Sequence, residues 1–373
     1  MSISSHIDDD YNNKDNKTAG NQQFCQQLPK CELHAHLNGS LSTLTMKKLL
    51  NYHHRIYPGQ IPHDKLNDYI HKNQTMEGFD FTLFDIVRSI TDNPTAVAMA
   101  TRDVIREFRA EGVRYLELRS TPRAVEGRMS KMEYCESIVE EIIKAERNEE
   151  LSSSIQVKYL LSIDRRKLDE FDENMKLWWL LKDKYPQIMA GIDISGDPRV
   201  DDITKLIPKL LELRQRGVKV AIHLAEILNE KETLAILGYR PDRIGHGTFI
   251  HPNTGGTQAQ LDALIKAKTP VEVCLTSNVL CKTSPSYKDH HTRHLHNTGV
   301  ISVMISTDDK GVFKCTLSGE YELAMKNFGW NHETLYTISF NAIDHIFASD
   351  DDKEKLRTEW KAWKIQNKHL FEL

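Results

Sequence analysis

Eight short apolar runs, separated by segments of helical periodicity, restrict the fold of this chain more than any other feature. The runs are Cys31–Leu37, Val113–Arg119, Gln156–Ile163, Ile188–Ile194, Val218–Leu224, Arg243–Gly247, Pro270–Leu275 and Ile301–Ser306. Helical patterns cover Leu44–Tyr52, Pro94–Ala110, Met132–Arg147, Asn174–Lys184, Ile203–Arg216, Lys231–Leu237 and Gln258–Ala267 between them. Apolar strands alternating with helices build parallel βαβ units. Eight such units predict a (β/α)8 barrel of the TIM type, in which functional groups gather at the C-terminal ends of the strands. The alternative is an open doubly wound sheet, but no GxGxxG follows the first run, which weakens a dinucleotide-binding version.

The stretch between the first two runs is longer than one crossover needs. It holds Pro58, Pro62 and a further helical pattern around Phe81–Ile90, so part of it is expected to flank or cover a site. Helices are also expected at Tyr321–Lys326, His332–Phe347 and Lys353–Asn367. The barrel therefore carries extra helices after strand one and at the C-terminus. Residues 1–25 are acidic and amide-rich, with Asp8-Asp9-Asp10 and Asn12-Asn13, and are expected to form a disordered tail. Residues 26–373 are expected to form one barrel domain, a length such barrels reach as a single unit.

The net charge of -4 supplies no basic field, so neither nucleic acid nor an anionic membrane is an expected partner. No apolar run reaches membrane-spanning length and the N-terminus has no secretory h-region, so the cytosol is the expected compartment. None of the six cysteines pairs as CxxC, which argues against a disulfide framework or a cysteine metal site. A monomer is expected.

The strand ends carry the chemistry. Cys31-Glu32-Leu33-His34-Ala35-His36-Leu37 reads as a buried strand, and residues two apart on a strand share a face. His34 and His36 therefore project together, while Leu33, Ala35 and Leu37 face apolar packing. Asn38-Gly39-Ser40 ends the strand and is able to cap a helix starting near Leu41. Strand five ends in His223-Leu224-Ala225-Glu226, strand six carries Gly245-His246-Gly247, and strand eight ends in Asp308-Asp309. Taken singly, each has an ordinary structural explanation: a satisfied core histidine, a helix-start acid, a turn residue, a loop cap. Their joint placement points to a metal centre. His34, His36 and His223 with Asp308 make a donor set suited to one zinc-type ion with a position left for water. Such an ion lowers the pKa of its water to roughly 7. Glu226 is then placed to donate a proton, and His246 to orient or deprotonate the water. Strand four ends Ile194-Ser195-Gly196 with no lysine to bridge a second metal, which favours a mononuclear site.

The run His34-Ala35-His36-Leu37-Asn38-Gly39-Ser40, with Ser195-Gly196-Asp197, His223-Leu224-Ala225-Glu226, Gly245-His246-Gly247 and Ser306-Thr307-Asp308-Asp309, resembles the adenosine and AMP deaminase family. The likeness covers nearly all of the chain after the tail, in the family's order. It implies a (β/α)8 fold, one zinc per chain and attack of activated water at purine C6. It further implies that Glu226 protonates ring N1, that His246 handles the water, that Asp309 bonds the water or ring N7, and that the Gly196 backbone contacts ring N3. The His/Cys/Cys signature of the cytidine-type deaminases is missing.

Members of this family that act on free adenosine resemble this chain but carry Asp at the position of Asn38. Neutral Asn38 removes a like-charge penalty against a 5′-phosphate and can donate a hydrogen bond; capping the next helix is the compatible alternative. Arg119-Ser120-Thr121-Pro122-Arg123, at the end of strand two, offers hydroxyls and a guanidinium for a phosphate, or else forms a solvated turn. The resemblance implies nucleotide contacts from Ser120, Thr121, Pro122, Arg123, Asp164 and His36. Related proteins carry His where this chain has Arg88, which leaves that contact open. The resemblance implies that the activity is hydrolysis of N6-methyl-AMP, a purine nucleoside monophosphate, to IMP and methylamine. The alternatives are deamination of free adenosine and an inactive nucleoside-binding barrel.

Overall fold

The computed structural model describes residues 19–60, 82–147 and 155–371. Eight parallel strands run in sequence order: β1 (Lys30–His36), β2 (Val113–Ser120), β3 (Gln156–Asp164), β4 (Met189–Ser195), β5 (Lys219–Leu224), β6 (Arg243–His246), β7 (Val271–Val273) and β8 (Val303–Ile305). The ring closes just past β8. Ala35 bridges Asp308 in parallel sense, the His36 N–H donates to the Asp308 carbonyl at 3.0 Å, and the Asp308 N–H to the His34 carbonyl at 2.8 Å. Glu32 adds a side-chain clasp across the same seam, accepting from the Thr307 N–H at 3.0 Å and the Thr307 hydroxyl at 2.8 Å. The expected (β/α)8 barrel is the observed fold.

Alternation along the strands separates two environments. Leu33 and Ala35 of β1, Leu116 and Leu118 of β2, and Ile192 and Ile194 of β4 join the main apolar core. His34, Glu117, Arg119, Asp193, Arg243 and Glu272 are buried as well, and they bond one another across the barrel interior. Arg119 donates to Asp193 and to Glu272, each at 2.9 Å, and Arg243 donates to Glu272 at 2.5 Å and to Glu117. Phe347 stops the interior from below, with the Arg243 guanidinium 3.6 Å from its ring centroid and its own N–H donating to Glu117 at 2.6 Å.

Three expectations change. The tail does not extend to residue 25: residues 19–27 are helical, and Phe24 and Cys25 are fully buried. Phe24 stacks on His332 at 3.9 Å and meets Phe371 edge-on at 5.5 Å, an aromatic site built by C-terminal helices that no local pattern around Phe24 reveals. Residues 1–18 of the expected tail, and 61–81 of the expected flanking stretch, lie outside the described residues. Second, strand seven ends at Val273, short of the expected Leu275, and Leu275–Leu280 and His291–Asn297 form two helices before strand eight. Buried Glu320 accepts from the Thr276 N–H at 3.1 Å, satisfying a first-turn donor of the earlier helix from a distant element. Third, the helix after β1 begins at Thr43, and Ser42 caps it by accepting from the Thr45 N–H, so Asn38 is not the cap.

Removing one member of a buried ion network strands its partners. Arg243→Met should therefore lower the stability of the barrel by about 3–5 kcal/mol, read from the urea midpoint. A loss below ~1 kcal/mol would mean that Glu117 and Glu272 are stabilised by something other than this guanidinium.

Candidate active site

The ends of β1, β5, β6 and the turn after β8 bring His34, His36, His223, His246, Glu226, Asp308 and Asp309 to one mouth of the barrel. Two of these residues, and the residue before Glu226, have unusual backbone. Ala225, His246 and Asp308 hold φ of 56°, 62° and 63°, left-handed values that a residue with a Cβ adopts at a cost of about 1–3 kcal/mol. Two glycines clear space for side chains of the site. A Cβ on Gly245 would lie 2.8 Å from Cε1 of His34, and one on Gly39 would lie 1.5 Å from Oδ1 of Asp309.

The imidazole tautomers follow from their outer partners. His34 Nδ1 is 2.7 Å from a Glu272 oxygen and so donates to it, which leaves Nε2 with a lone pair; that buried atom has no hydrogen-bond partner among the described residues. His223 Nδ1 lies 3.1 Å from the Ile194 carbonyl and 3.2 Å from Asp193, so its lone pair is also on Nε2. His36 Nε2 approaches His223 Nε2 at 3.2 Å and Asp308 Oδ1 at 3.3 Å, and His34 Nε2 is 3.4 Å from the same oxygen. A tetrahedral ligand set at about 2.0–2.2 Å from an ion has edges of about 3.3–3.6 Å. Three imidazole nitrogens and one carboxylate oxygen at these separations therefore fit one divalent cation.

His246 lies in the same cluster, and its ligand atom falls with those of His34, His223 and Asp308 within a 4.8 Å span. We nonetheless take His36 as the fourth donor. His246 Nδ1 faces the Asn278 amide nitrogen at 3.2 Å, so its proton sits on Nε2, where a ligand would need a lone pair. Its Nε2 points instead toward Glu226, at 3.6 Å, and Asp308 Oδ2, at 3.9 Å. Ser277 donates to that second Asp308 oxygen at 2.7 Å, which turns Oδ1 toward the histidines.

Burial holds His36 neutral, with its pKa pushed down to about 3, and drives His246 well below the ordinary histidine value. Burial acts the same way on His223, but the charge and hydrogen bond of Asp193 override it and raise that imidazole to about 9. The Glu226 carboxyl is raised by burial, opposed by His223 and reinforced by Asp308. Asp309 is raised well above the carboxylate range by burial and by the charges of Asp308 and Glu226, and its Oδ1 has no partner among the described residues. The mouth thus combines two imidazoles that burial holds neutral, His36 and His246, one that Asp193 favours in its charged form, His223, one firmly ionised carboxylate, Asp308, and two carboxyls that favour a proton.

The remaining candidates ring this centre. Asn38 donates to the Tyr134 hydroxyl at 3.0 Å, and Ser120 shares a hydrogen bond with the Tyr159 hydroxyl at 3.1 Å. Thr121 and Pro122 follow β2. Arg123 is less free than its sequence suggests: it donates to the Arg88 carbonyl at 3.1 Å, the Thr91 hydroxyl at 2.8 Å and the Thr91 carbonyl, leaving Nε without a partner among the described residues. Asp164 is bound by Arg166 and abuts Gly196, where a Cβ would approach its oxygen to 2.6 Å. Sequence reasoning missed Glu272, Asp193, Ser277 and Asn278. The signal for the first two was a lone acid inside an apolar strand, Val271-Glu272-Val273 and Ile192-Asp193-Ile194.

Residues 29–363 match the family model described as adenosine deaminase. The chain is 41% identical over 355 residues to the N6-methyl-AMP deaminase of Homo sapiens, covering 93% of this chain and 96% of that one. The crystal structure of the Arabidopsis N6-mAMP deaminase superposes with a TM-score of 0.81 at 34% identity, covering 91% of this chain and 99% of that one. The structure of an ADAL–IMP complex gives 0.82 at 33% identity, covering 93% and 100%.

The partners that set the tautomers should matter to metal binding. Asp193→Asn is expected to weaken the affinity of the holoprotein for its metal by about 10–100-fold, measured by competition with a chelator. An unchanged affinity would show that the Ile194 carbonyl alone orients His223.

Proposed function

The chain belongs to the adenosine deaminase family, and from that premise we propose that it hydrolyses N6-methyl-AMP to IMP and methylamine. The observation that carries this reading is the approach of three imidazole nitrogens and one carboxylate oxygen to one another within 3.2–3.4 Å, with the Glu226 carboxyl nearby. A divalent cation held by His34, His36, His223 and Asp308, zinc by its affinity for imidazole and carboxylate donors, would supply activated water at neutral pH. Each residue then has a task. Glu226, protonated in its buried and acidic surroundings, gives its proton to ring N1 and makes C6 electrophilic. His246 orients the water. Asp309, kept protonated by the same neighbours, donates to ring N7, and the Gly196 N–H meets ring N3. The water oxygen becomes O6, one water proton leaves on methylamine and the other restores Glu226, so the N1 proton remains on IMP.

The phosphate end is read from the surrounding groups. Asn38 carries no charge against a 5′-phosphate, and its amide is fixed by Tyr134. Ser120 and Thr121 offer hydroxyls beside Pro122, Arg123 offers Nε, and Asp164 borders the ribose side next to Gly196. His36 lines the same wall, and it is the partly exposed imidazole of the metal set, with a side chain 21% accessible. We read the described residues, from residue 19 onward, as one catalytic unit. All six cysteines are free thiols, as a reducing compartment maintains, and we place the enzyme in the cytosol. Among the described residues no helix is long and apolar enough to cross a membrane. One chain supplies the whole site, and we take the working form to be a monomer.

Comparing kcat/KM on N6-methyl-AMP, AMP and adenosine, with metal content measured on the same sample, tests the reading. The methylated nucleotide should be preferred; equal or better turnover of adenosine would overturn it. Glu226→Gln should keep the metal and lose about 10²–10⁴ in kcat. Because Glu226 works in its protonated form and its pKa is raised, kcat/KM should fall as pH rises through that pKa. Persistence of that alkaline limb in Glu226→Gln would assign it to another group.

A further inference from the structure

His246 sits at the end of β6, buried between two glycines, and its backbone is pinned by the His291 Nε2–H, which donates to its carbonyl at 2.8 Å. The ring is directed from behind by a short chain of hydrogen bonds. The Thr283 hydroxyl donates to the backbone carbonyl of Asn278 at 3.1 Å, so its proton is engaged and its oxygen must accept. The Asn278 amide nitrogen lies 3.3 Å from that oxygen and donates to it. The second proton of the same NH2 group points to His246 Nδ1 at 3.2 Å. Nδ1 is therefore an acceptor, and a ring that accepts at Nδ1 carries its single proton on Nε2. That nitrogen faces Glu226 Oε2 and Asp308 Oδ2.

We propose that Asn278, itself directed by Thr283, is a positioning residue that holds His246 in the Nε2–H tautomer. His246 then enters the reaction as a hydrogen-bond donor to the attacking oxygen and not as the group that removes its proton. An acceptor at Nε2 would compete for the proton of the water; a donor there fixes the direction of the oxygen lone pair that attacks C6. The catalytic consequence rests on the deaminase reading above, but the tautomer does not.

The experiment uses the metal-loaded full chain labelled with 15N-histidine, with the His246 signals assigned by their loss in His246→Gln. The parent should show the Nε2–H pattern. Asn278→Asp, nearly isosteric, replaces the amide donor with an acceptor and should convert His246 to the Nδ1–H form. Its kcat on N6-methyl-AMP should fall about 10²-fold, with KM within about 3-fold and metal content unchanged. Thr283→Val, which removes the acceptor that directs the amide, should populate both tautomers and give an intermediate kcat; it decides the matter if Asn278→Asp does not fold. An Nδ1–H pattern in the parent, or a converted tautomer with unchanged kcat, would overturn the proposal. If the parent turns over no purine nucleotide yet shows the Nε2–H form that Asn278→Asp reverses, the positioning role stands and the assigned reaction fails.

Discussion

The dry interior of the barrel has to hold ionic groups, and each can stay there only if its neighbours satisfy it. Glu117, Arg243, Glu272, Arg119 and Asp193 form one continuous chain of contacts from the floor of the barrel to its mouth. Two cations meet three anions in it, and the excess negative charge lies toward the histidines. Attraction from both guanidiniums holds Glu272 below the carboxylate range although burial opposes it, and Arg119 and His223 do the same for Asp193. Glu272 accepts a hydrogen bond from His34 Nδ1, and Asp193 lies 3.2 Å from the His223 Nδ1 that also faces the Ile194 carbonyl. The stability of the scaffold and the direction of the imidazole lone pairs thus depend on the same charges.

Charge also explains why the mouth suits a cation. Asp308, Asp309 and Glu226 crowd together at the mouth, and burial, reinforced by the charge of Asp308, raises the pKa values of Asp309 and Glu226. A divalent ion at the convergence point would relieve that repulsion while leaving Glu226 and Asp309 off the ligand set. Backbone strain at Ala225, His246 and Asp308 keeps the arrangement open, because relaxed strand ends would point these side chains elsewhere. The glycines at positions 39 and 245 are part of the same geometry, since each lies where a methyl group would strike Asp309 or His34.

Much of this was legible from the residues. The eight apolar runs fall on the eight strands, and His34, His36, His223, Glu226, His246, Asp308 and Asp309 meet as their strand-end positions imply. What was not legible depended on partners far away in the chain. The helix at Leu275–Leu280 looks like the end of a strand until Glu320 is seen beneath its first turn. Phe24 reads as the end of a polar tail until His332 and Phe371 are seen around it. Arg123 reads as a free guanidinium until Arg88, at the end of the helix at Thr82–Ile90, and Thr91 are seen to engage its Nη2.

By itself the amino-acid order determined which side chains share a strand face and which strands alternate with helices, because both follow from local periodicity. It also determined that histidines and acids would stand at strand ends. Only the tertiary structure decided which imidazole nitrogens face outer partners, which histidines approach Asp308, and which carboxyls favour their protons. Those properties belong to contacts between residues tens to hundreds of positions apart. A hydrogen bond such as that from His34 to Glu272 exists only once the barrel has closed.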